Sequence, residues 1–331
     1  MKKDKWDAGQ MLETSGSYWK ACTLHAGVSL EVFTLIGDDS IDGDEIARRS
    51  GGDADGVKRL LNALTAMGLL TKQQGEYSNT TESKSLLVKG LPEYIGHIVM
   101  HHHHLVSAWS QLPRAVKSGQ PLRERSSFGK EEERESFLMG MYNLAMNMAP
   151  RVADQIDLSG RSHLIDLGGG PGTYAIHFCL ANPDLRATAY DLPTTEPFAI
   201  ETIERFGLGD RIDFTAGNYV EDEIKGSYDV AWFSHILHGE GPEDCQRIIR
   251  KVVSVLEPGG LILIHDFILN DNLDGPLFPA LFSLNMLINT QHGQSYSESQ
   301  ITSMLAGAGV KEIHRITFRG PNDSGIISGV V

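Results

Sequence analysis

The run HLIDLGGGPGTYAIHF at 163–178 leaves few folds open. A short apolar stretch ends beside a carboxylate, passes through closely spaced glycines and continues into a helix-forming segment. Glycines at 168, 170 and 172 let the chain turn sharply and let a ligand approach the backbone. A strand–loop–helix unit of this kind belongs at the carboxyl edge of a parallel sheet. From residue 162 onward HLIDL, ATAYD, DFTAG, YDVAWF and LILIHDF alternate with helical segments. The pattern predicts a mostly parallel sheet covered on both faces.

What the loop holds is decided by the acid inside it. A nicotinamide site would set a pyrophosphate on the helix N-terminus. Asp166, beside the loop, would repel that group but could attract the ammonium of a methionine moiety, directly or through water. The D-x-G-x-G-x-G spacing of Asp166, Gly168, Gly170 and Gly172 therefore favours S-adenosylmethionine, and Thr173 replaces the third glycine of a dinucleotide fingerprint. Asp191 in AYDLP, with Leu192 after it, ends the next strand where an acid accepts both ribose hydroxyls. The GNY turn brings Asn218 and Tyr219 toward the adenine, Asn offering both a donor and an acceptor. Ser234, closing the fourth strand, completes the expected cofactor set.

At 331 residues the chain has room for a second domain, and 41% apolar with 22% charged residues is ordinary for a globular protein. Its 43 acidic against 29 basic side chains, a net −14, disfavour nucleic acid as a partner. Cys22, Cys179 and Cys245 are odd in number and widely spaced, reading as reduced thiols. The opening MKKDKWDAGQ lacks the apolar core of a secretory signal, no run is long enough to span a bilayer, and a cytoplasmic location is expected.

Ahead of the glycine loop, Val57, Leu60, Leu61, Leu64 and Met67 recur at helical spacing between a capping Asp53 and a terminating Gly68. LLTKQ and EYSNT then flank a tight turn, and Asp42 with Glu45 bracket DEIARR as a capping box. The sum reads as a winged helix. Its groove-facing helix would carry Asp53 and Asp55 against Lys58 and Arg59, which suits burial against a second copy better than contact with phosphates. We divide the chain into a winged-helix dimerisation domain at 1–95, a helical linker at 96–158 contributing to the substrate pocket, and a cofactor-binding domain at 159–331. RERSSFGKEEERES within the linker reads as an exposed polar segment.

RLLNALTAMGLL, AWSQLPRAVKSGQP, YNLAM, LIDLGGGPG, YDLP, ILHGEGPEDCQRIIRKVVSVLEPGG and LILIHDFIL together resemble the plant caffeate-type and bacterial polyketide and hydroxyindole-type small-molecule O-methyltransferases. The resemblance implies a Rossmann-like class I methyltransferase domain behind a winged-helix dimerisation domain. It further implies a homodimer and O-methylation of a small phenolic or hydroxylated aromatic acceptor. It places the general base at His238 and the acid that orients it at Asp266. The chemistry agrees: a phenol of pKa near 10 needs deprotonation, and an imidazole of pKa about 6.5 is suited to take the proton. Gly239 and Glu240 stand where relatives carry Asp-Trp, Ser295 stands where plant members place a second acid, and Asn218 replaces an acid after the third strand. His235, near the same strand end as His238, reads as a core histidine. A C- or N-methyltransferase on the same scaffold, and a ligand-sensing winged-helix regulator, are the alternatives.

His97, His101 and His104 share one face of a predicted helix, a spacing that can bind a metal. The resemblance implies no metal for catalysis, and pocket lining is the expected role. It also draws the acceptor site from this helix and from FPALFSLNMLINT. Met100, His101, His104 and Asn143 are candidates there. So are Met146, Phe282, Met286 and Asn289, with Met and Phe enclosing an aromatic ring and His and Asn addressing its polar edge.

Overall fold

A computed structural model describes residues 6–331, so Met1–Lys5, the lysine-rich start of the expected non-signal terminus, lie outside the described residues. The chain divides into two units. The first holds the residues up to Val106 and Glu135–Asn143, the second Ser107–Arg134 and Leu144–Val331.

In the first unit a three-stranded antiparallel sheet runs in the order β1 (Ile41–Asp42), β3 (Glu76–Asn79), β2 (Leu70–Gln73). Asp53 caps the Ala54–Ala66 helix by accepting from Gly56 N–H, and Gly68 turns the chain at φ 78°. Gln74 and Gly75, both at positive φ, close the hairpin between β2 and β3. Val57, Leu61 and Leu64 bury the helix against Phe33, Ile46, Leu70 and Tyr77. The capping box at Asp42 is half made: Asp42 accepts from Asp44 and Glu45 N–H, while the Glu45 carboxylate turns to Arg48 and Arg49. Lys58 and Arg59 are taken up by Asp44 and Asp55, which leaves the winged-helix cations engaged with acids of the same unit.

The second unit is built on a seven-stranded sheet. Its order is β6 (Ile212–Ala216), β5 (Arg186–Asp191), β4 (His163–Leu167), β7 (Tyr228–Ser234), β8 (Leu256–Phe267), β10 (Ser324–Val330), β9 (Lys311–Ile316). β6 through β8 are parallel and β10 runs antiparallel to both its neighbours. The period-2 alternation of a strand sorts residues between two cores. Leu164, Val230, Trp232 and Leu263 join one with Tyr174 and Phe178; Ile165, Ala231, Phe233, Ile262 and Ile264 join the other with Ile248 and Ile249. The turns after β4, β5 and β7 and the end of β8 thus gather at the carboxyl edge of the parallel strands, where open α/β sheets bind ligands. Cys22, Cys179 and Cys245 are free thiols, and no helix among the described residues is long and apolar enough to cross a membrane.

Arg211, just before β6, closes the C-terminal end of the Thr173–Ala181 helix. Its guanidinium reaches the carbonyls of Cys179 at 2.8 Å, Asn182 at 2.6 Å and Leu185 at 2.6 Å. Arg211→Ala should lower unfolding free energy by about 2 kcal/mol, the scale of losing hydrogen bonds from a charged donor. Urea denaturation checks it, and an unchanged midpoint would show that water serves these carbonyls equally well.

Candidate active site

The loop after β4 is held from below by two acids. Alternation along β4 puts Asp166 on the face of the Thr173–Ala181 helix, where it is 1% exposed and its Oδ2 accepts from Ala175 N–H at 3.1 Å. Burial pushes this carboxyl up to about 7; the Ala175 hydrogen bond opposes the shift and nearby Asp191 adds to it. Asp191 is pinned to the loop as well. Its Oδ2 accepts from Gly170 N–H at 2.8 Å and its Oδ1 from Leu192 N–H at 2.6 Å and the Thr195 hydroxyl at 3.1 Å. Burial raises this carboxyl too, against those three hydrogen bonds.

Gly170 sits at φ 54° with no described atom within 4 Å of where a Cβ would stand, so the loop backbone is open to a ligand there. At Gly168, φ 65°, a Cβ would fall 2.1 Å from Ile236 Cδ1. Gly172, also left-handed at φ 78°, is the residue from which the helix starts. An open glycine backbone flanked by two carboxylates fits a cationic amino-acid moiety and a ribose, and it repels a pyrophosphate. Beyond β6, Asn218 accepts from Val220 N–H at 3.0 Å, and Tyr219 packs on the second core, its phenol pushed up by burial. Ser234 Oγ lies 3.2 Å from His265 Nδ1.

The fourth parallel strand ends in a tight turn, Leu237–Gly239, that brings His238 back over β8. His238 Nδ1 stands 2.7 Å from Asp266 Oδ1. Alternation along β8 turns His265 into the first core, where its ring stacks on Trp232, and leaves Asp266 facing the turn. Asp266 is 3% exposed and also accepts from Phe267 N–H at 2.8 Å and, at 3.4 Å, from His238 N–H. Burial alone would raise its carboxyl, but the charges of His238 and His235 and the short hydrogen bond from His238 outweigh it and hold the group far below the usual carboxylate range. Desolvation, aided by His235, keeps buried His265 well below its ordinary value and therefore neutral.

His235 is drawn into this cluster. At φ 57° it is a non-glycine residue in the left-handed region, and its Nδ1 lies 3.6 Å from Asp266 Oδ1. Ser295, at the place of the plant family's second acid, is buried with its backbone N–H 3.4 Å from Ser283 Oγ. The second side chain beside Asp266 is thus the imidazole of His235, three residues before His238.

Of the acceptor candidates, Phe282 meets His238 edge to face with ring centroids 4.8 Å apart. Phe267 and Phe278 extend the aromatic surface, at 4.7 and 5.8 Å from Phe282. Met286 is buried one turn further along the Leu277–Asn289 helix. Asn289, at its end, donates to Asn285 O at 2.7 Å, and Met146 is half-buried in the second unit. Met100, His101 and His104 lie on the Gly96–Trp109 helix in the first unit. There His101 packs on Phe137 at 5.3 Å, and Asn143 donates to Tyr94 O at 2.7 Å.

The segment read as exposed and polar is tied down at Arg125, which pairs with Glu240 at 2.5 Å and also donates to the Gly239 carbonyl. Glu240 is only 5% exposed, so the position that loses the family's tryptophan holds a buried carboxylate paired to a half-buried arginine instead. The two residues stand 115 positions apart with no motif joining them, so neither patterning nor spacing signals the pair. Phe267 and Phe278 were equally hidden, since each reads as ordinary core.

Comparison with known proteins agrees with this geometry. The model of the O-methyltransferase domain matches residues 118–311, and that of the O-methyltransferase dimerisation domain matches residues 12–89. A 3-hydroxy-5-methyl-1-naphthoate 3-O-methyltransferase of Streptomyces sahachiroi is 32% identical over 318 residues, 94% of this chain and 92% of the relative. An O-methyltransferase family protein from Burkholderia thailandensis superposes with a TM-score of 0.87 at 27% identity, covering 98% of both chains. PigF, a methyltransferase known from a Serratia strain and solved with S-adenosylhomocysteine, gives a TM-score of 0.89 at 25% identity, covering 98% of this chain and 100% of PigF. The glycine loop, the acid-tipped strands and the winged-helix module are those of one lineage, and the chain belongs to the S-adenosylmethionine-dependent O-methyltransferase family.

Proposed function

We propose that the protein methylates a hydroxyl of a small aromatic metabolite, with His238 as general base and Asp266 as the acid that orients it. The observation that carries this reading is the 2.7 Å contact between His238 Nδ1 and Asp266 Oδ1. An ionised Asp266 accepting there holds the ring proton on Nδ1 and leaves Nε2 with its lone pair for the acceptor's proton. The bound cofactor supplies an electrophilic methyl group on a sulfonium. The Gly168–Gly172 loop, with Asp191, Leu192, Asn218, Tyr219 and Ser234, would hold it, and Asp166 would support the loop from beneath through Ala175 N–H. Phe282, Phe267 and Met286 would shape a flat apolar slot beside the base and exclude water, so that positioning supplies much of the rate. With its free thiols, the enzyme suits the cytoplasm.

Two copies would associate through the first unit. Leu12, Tyr18 and Trp19 on its N-terminal helices are 74, 60 and 68% exposed within the segment that matches the dimerisation domain. Burial of such side chains across a two-fold axis is a self-complementary arrangement. Leu12→Asp with Trp19→Asp should turn a dimer into a monomer in sedimentation velocity; an unaltered dimer would move the interface elsewhere.

Asp166 gives a pH test. Its folded-state value of about 7 exceeds that of an unfolded aspartate, about 3.9. The folded protein therefore binds more protons between those limits, and cofactor-free stability falls as pH rises through this window. Asp166→Asn should gain thermal stability relative to the wild type on going from about pH 5 to about pH 8. A difference independent of pH would show that the carboxyl ionises freely in the fold.

For the base, methyl transfer from labelled S-adenosylmethionine to a library of hydroxylated aromatics, read by mass spectrometry, identifies an acceptor. With that acceptor, His238→Ala should lower turnover by roughly 10²–10⁴-fold and remove the acid limb of the pH–rate profile. Asp266→Asn should add little once His238 is gone, since the two act as one unit. Near-full activity of His238→Ala with the same profile would exclude this base.

A further inference from the structure

Among the described residues, one group of three side chains could hold a metal ion. It is His235, His238 and Asp266, whose donor atoms all lie within 4.8 Å of one another. The histidine run at 101–104 forms no such group. We propose that this cluster is a binding site for one divalent cation of the Zn2+ class, and that its occupancy switches the base off. The site stands on the geometry alone; the switch rests on the reading of His238 as base.

Two imidazoles and a carboxylate form the ligand set of an open zinc site, in which the fourth position is left to water or substrate. A tetrahedral cation with donors at about 2.0–2.1 Å sets those donors about 3.3 Å from one another. The separations here bracket that value: 2.7 Å from His238 Nδ1 to Asp266 Oδ1, and 3.6 Å from His235 Nδ1 to the same oxygen. The third separation, between the two imidazole nitrogens, lies within 4.8 Å, so the rings would draw together to complete the set.

The state of His235 is the second observation. Its Nδ1 is buried and makes no hydrogen bond with the described residues, a condition that buried polar nitrogens rarely keep. Its backbone is held in the left-handed region by the N–H bond to His265 O at 2.8 Å. The ring is wedged against Phe267 at 4.3 Å and His265 at 4.6 Å, which fixes its direction. The carboxylate is oriented in turn by Phe267 N–H. Ligands braced in this way before the ion arrives are what a metal site requires.

Coordination would use the His238 nitrogen that now carries the ring proton. When the Nδ1 lone pair goes to the cation, the proton leaves Nδ1 and the neutral ring carries it on Nε2. The imidazole then presents a donor to the acceptor hydroxyl and can no longer take its proton. One proton moves between two nitrogens of one ring, and no other reactant is needed.

The test is calorimetric titration of chelator-treated full-length protein with ZnCl2 in the absence of cofactor, alongside methyl transfer with and without the cation. The wild type should bind one Zn2+ per chain at this site and lose activity on binding, and EDTA should restore it. His235→Asn, a residue that tolerates the left-handed backbone, should weaken that binding by at least about tenfold. Asp266→Asn should do the same. Equal Zn2+ affinity in wild type and both variants would overturn the site and move any bound ion elsewhere, the histidine run included. Binding that the variants weaken but that leaves methyl transfer untouched would overturn the switch, and with it the role of His238, while the site itself would stand.

Discussion

A carboxylate with almost no access to water must find its compensation inside the protein, and the arrangement around Asp266 follows from that need. Removing an ion from water costs several kcal/mol unless hydrogen bonds and opposite charge replace the solvent. Here the replacement comes from Phe267 N–H, from the backbone and ring of His238, and from the neighbouring ring of His235. The short turn after β7 has to come back over β8 for this to happen. The parallel register that sets Ser234 beside His265 makes the return short enough. The same alternation that exposes Asp266 to the turn sends His265 into the opposite core, so adjacent residues serve the His238 turn and the packing separately.

Much of this was legible in the chain. β4, β5, β7 and β8 are largely apolar runs, and the burial of their central residues on both faces makes them readable without knowledge of partners. The winged helix was readable for a local reason, since its caps and hairpin turn lie within a few residues of the groups they satisfy. β9 and β10 were not. KEIHRI carries charges on a sheet edge, and SGIISGV is rich in small residues that read as loop. β10 is a strand because it pairs with β8, far off in sequence, and β9 because it pairs with β10.

The candidate site shows the same division. His238 and Asp266 were placed by the family resemblance, and the structure brings them into contact. His235 was read as a filler of the core because an isolated histidine usually is one, and only the positive φ of its backbone turns the ring to the carboxylate. Arg125 and Glu240 meet through a segment whose composition suggested solvent. An ion pair that joins distant loops leaves no periodicity behind, so neither partner signals the other. The loss of the family's Asp-Trp was visible as a gap, and what filled it was not.

The hydrogen bonds of Asp191 have a consequence for how the cofactor is bound. Its carboxylate grips Gly170 N–H, and Tyr190 O, one residue earlier, takes Gly168 N–H, so the tip of β5 and the glycine loop form a single braced piece. A ligand arriving there meets a loop whose conformational freedom was surrendered when the chain folded, and little of the binding energy goes into ordering it. Both oxygens of Asp191 are already engaged, by Gly170 N–H on one side and by Leu192 N–H and the Thr195 hydroxyl on the other. A residue at 191 that gave up the grip on Gly170 would unsettle the loop whatever else it contacted.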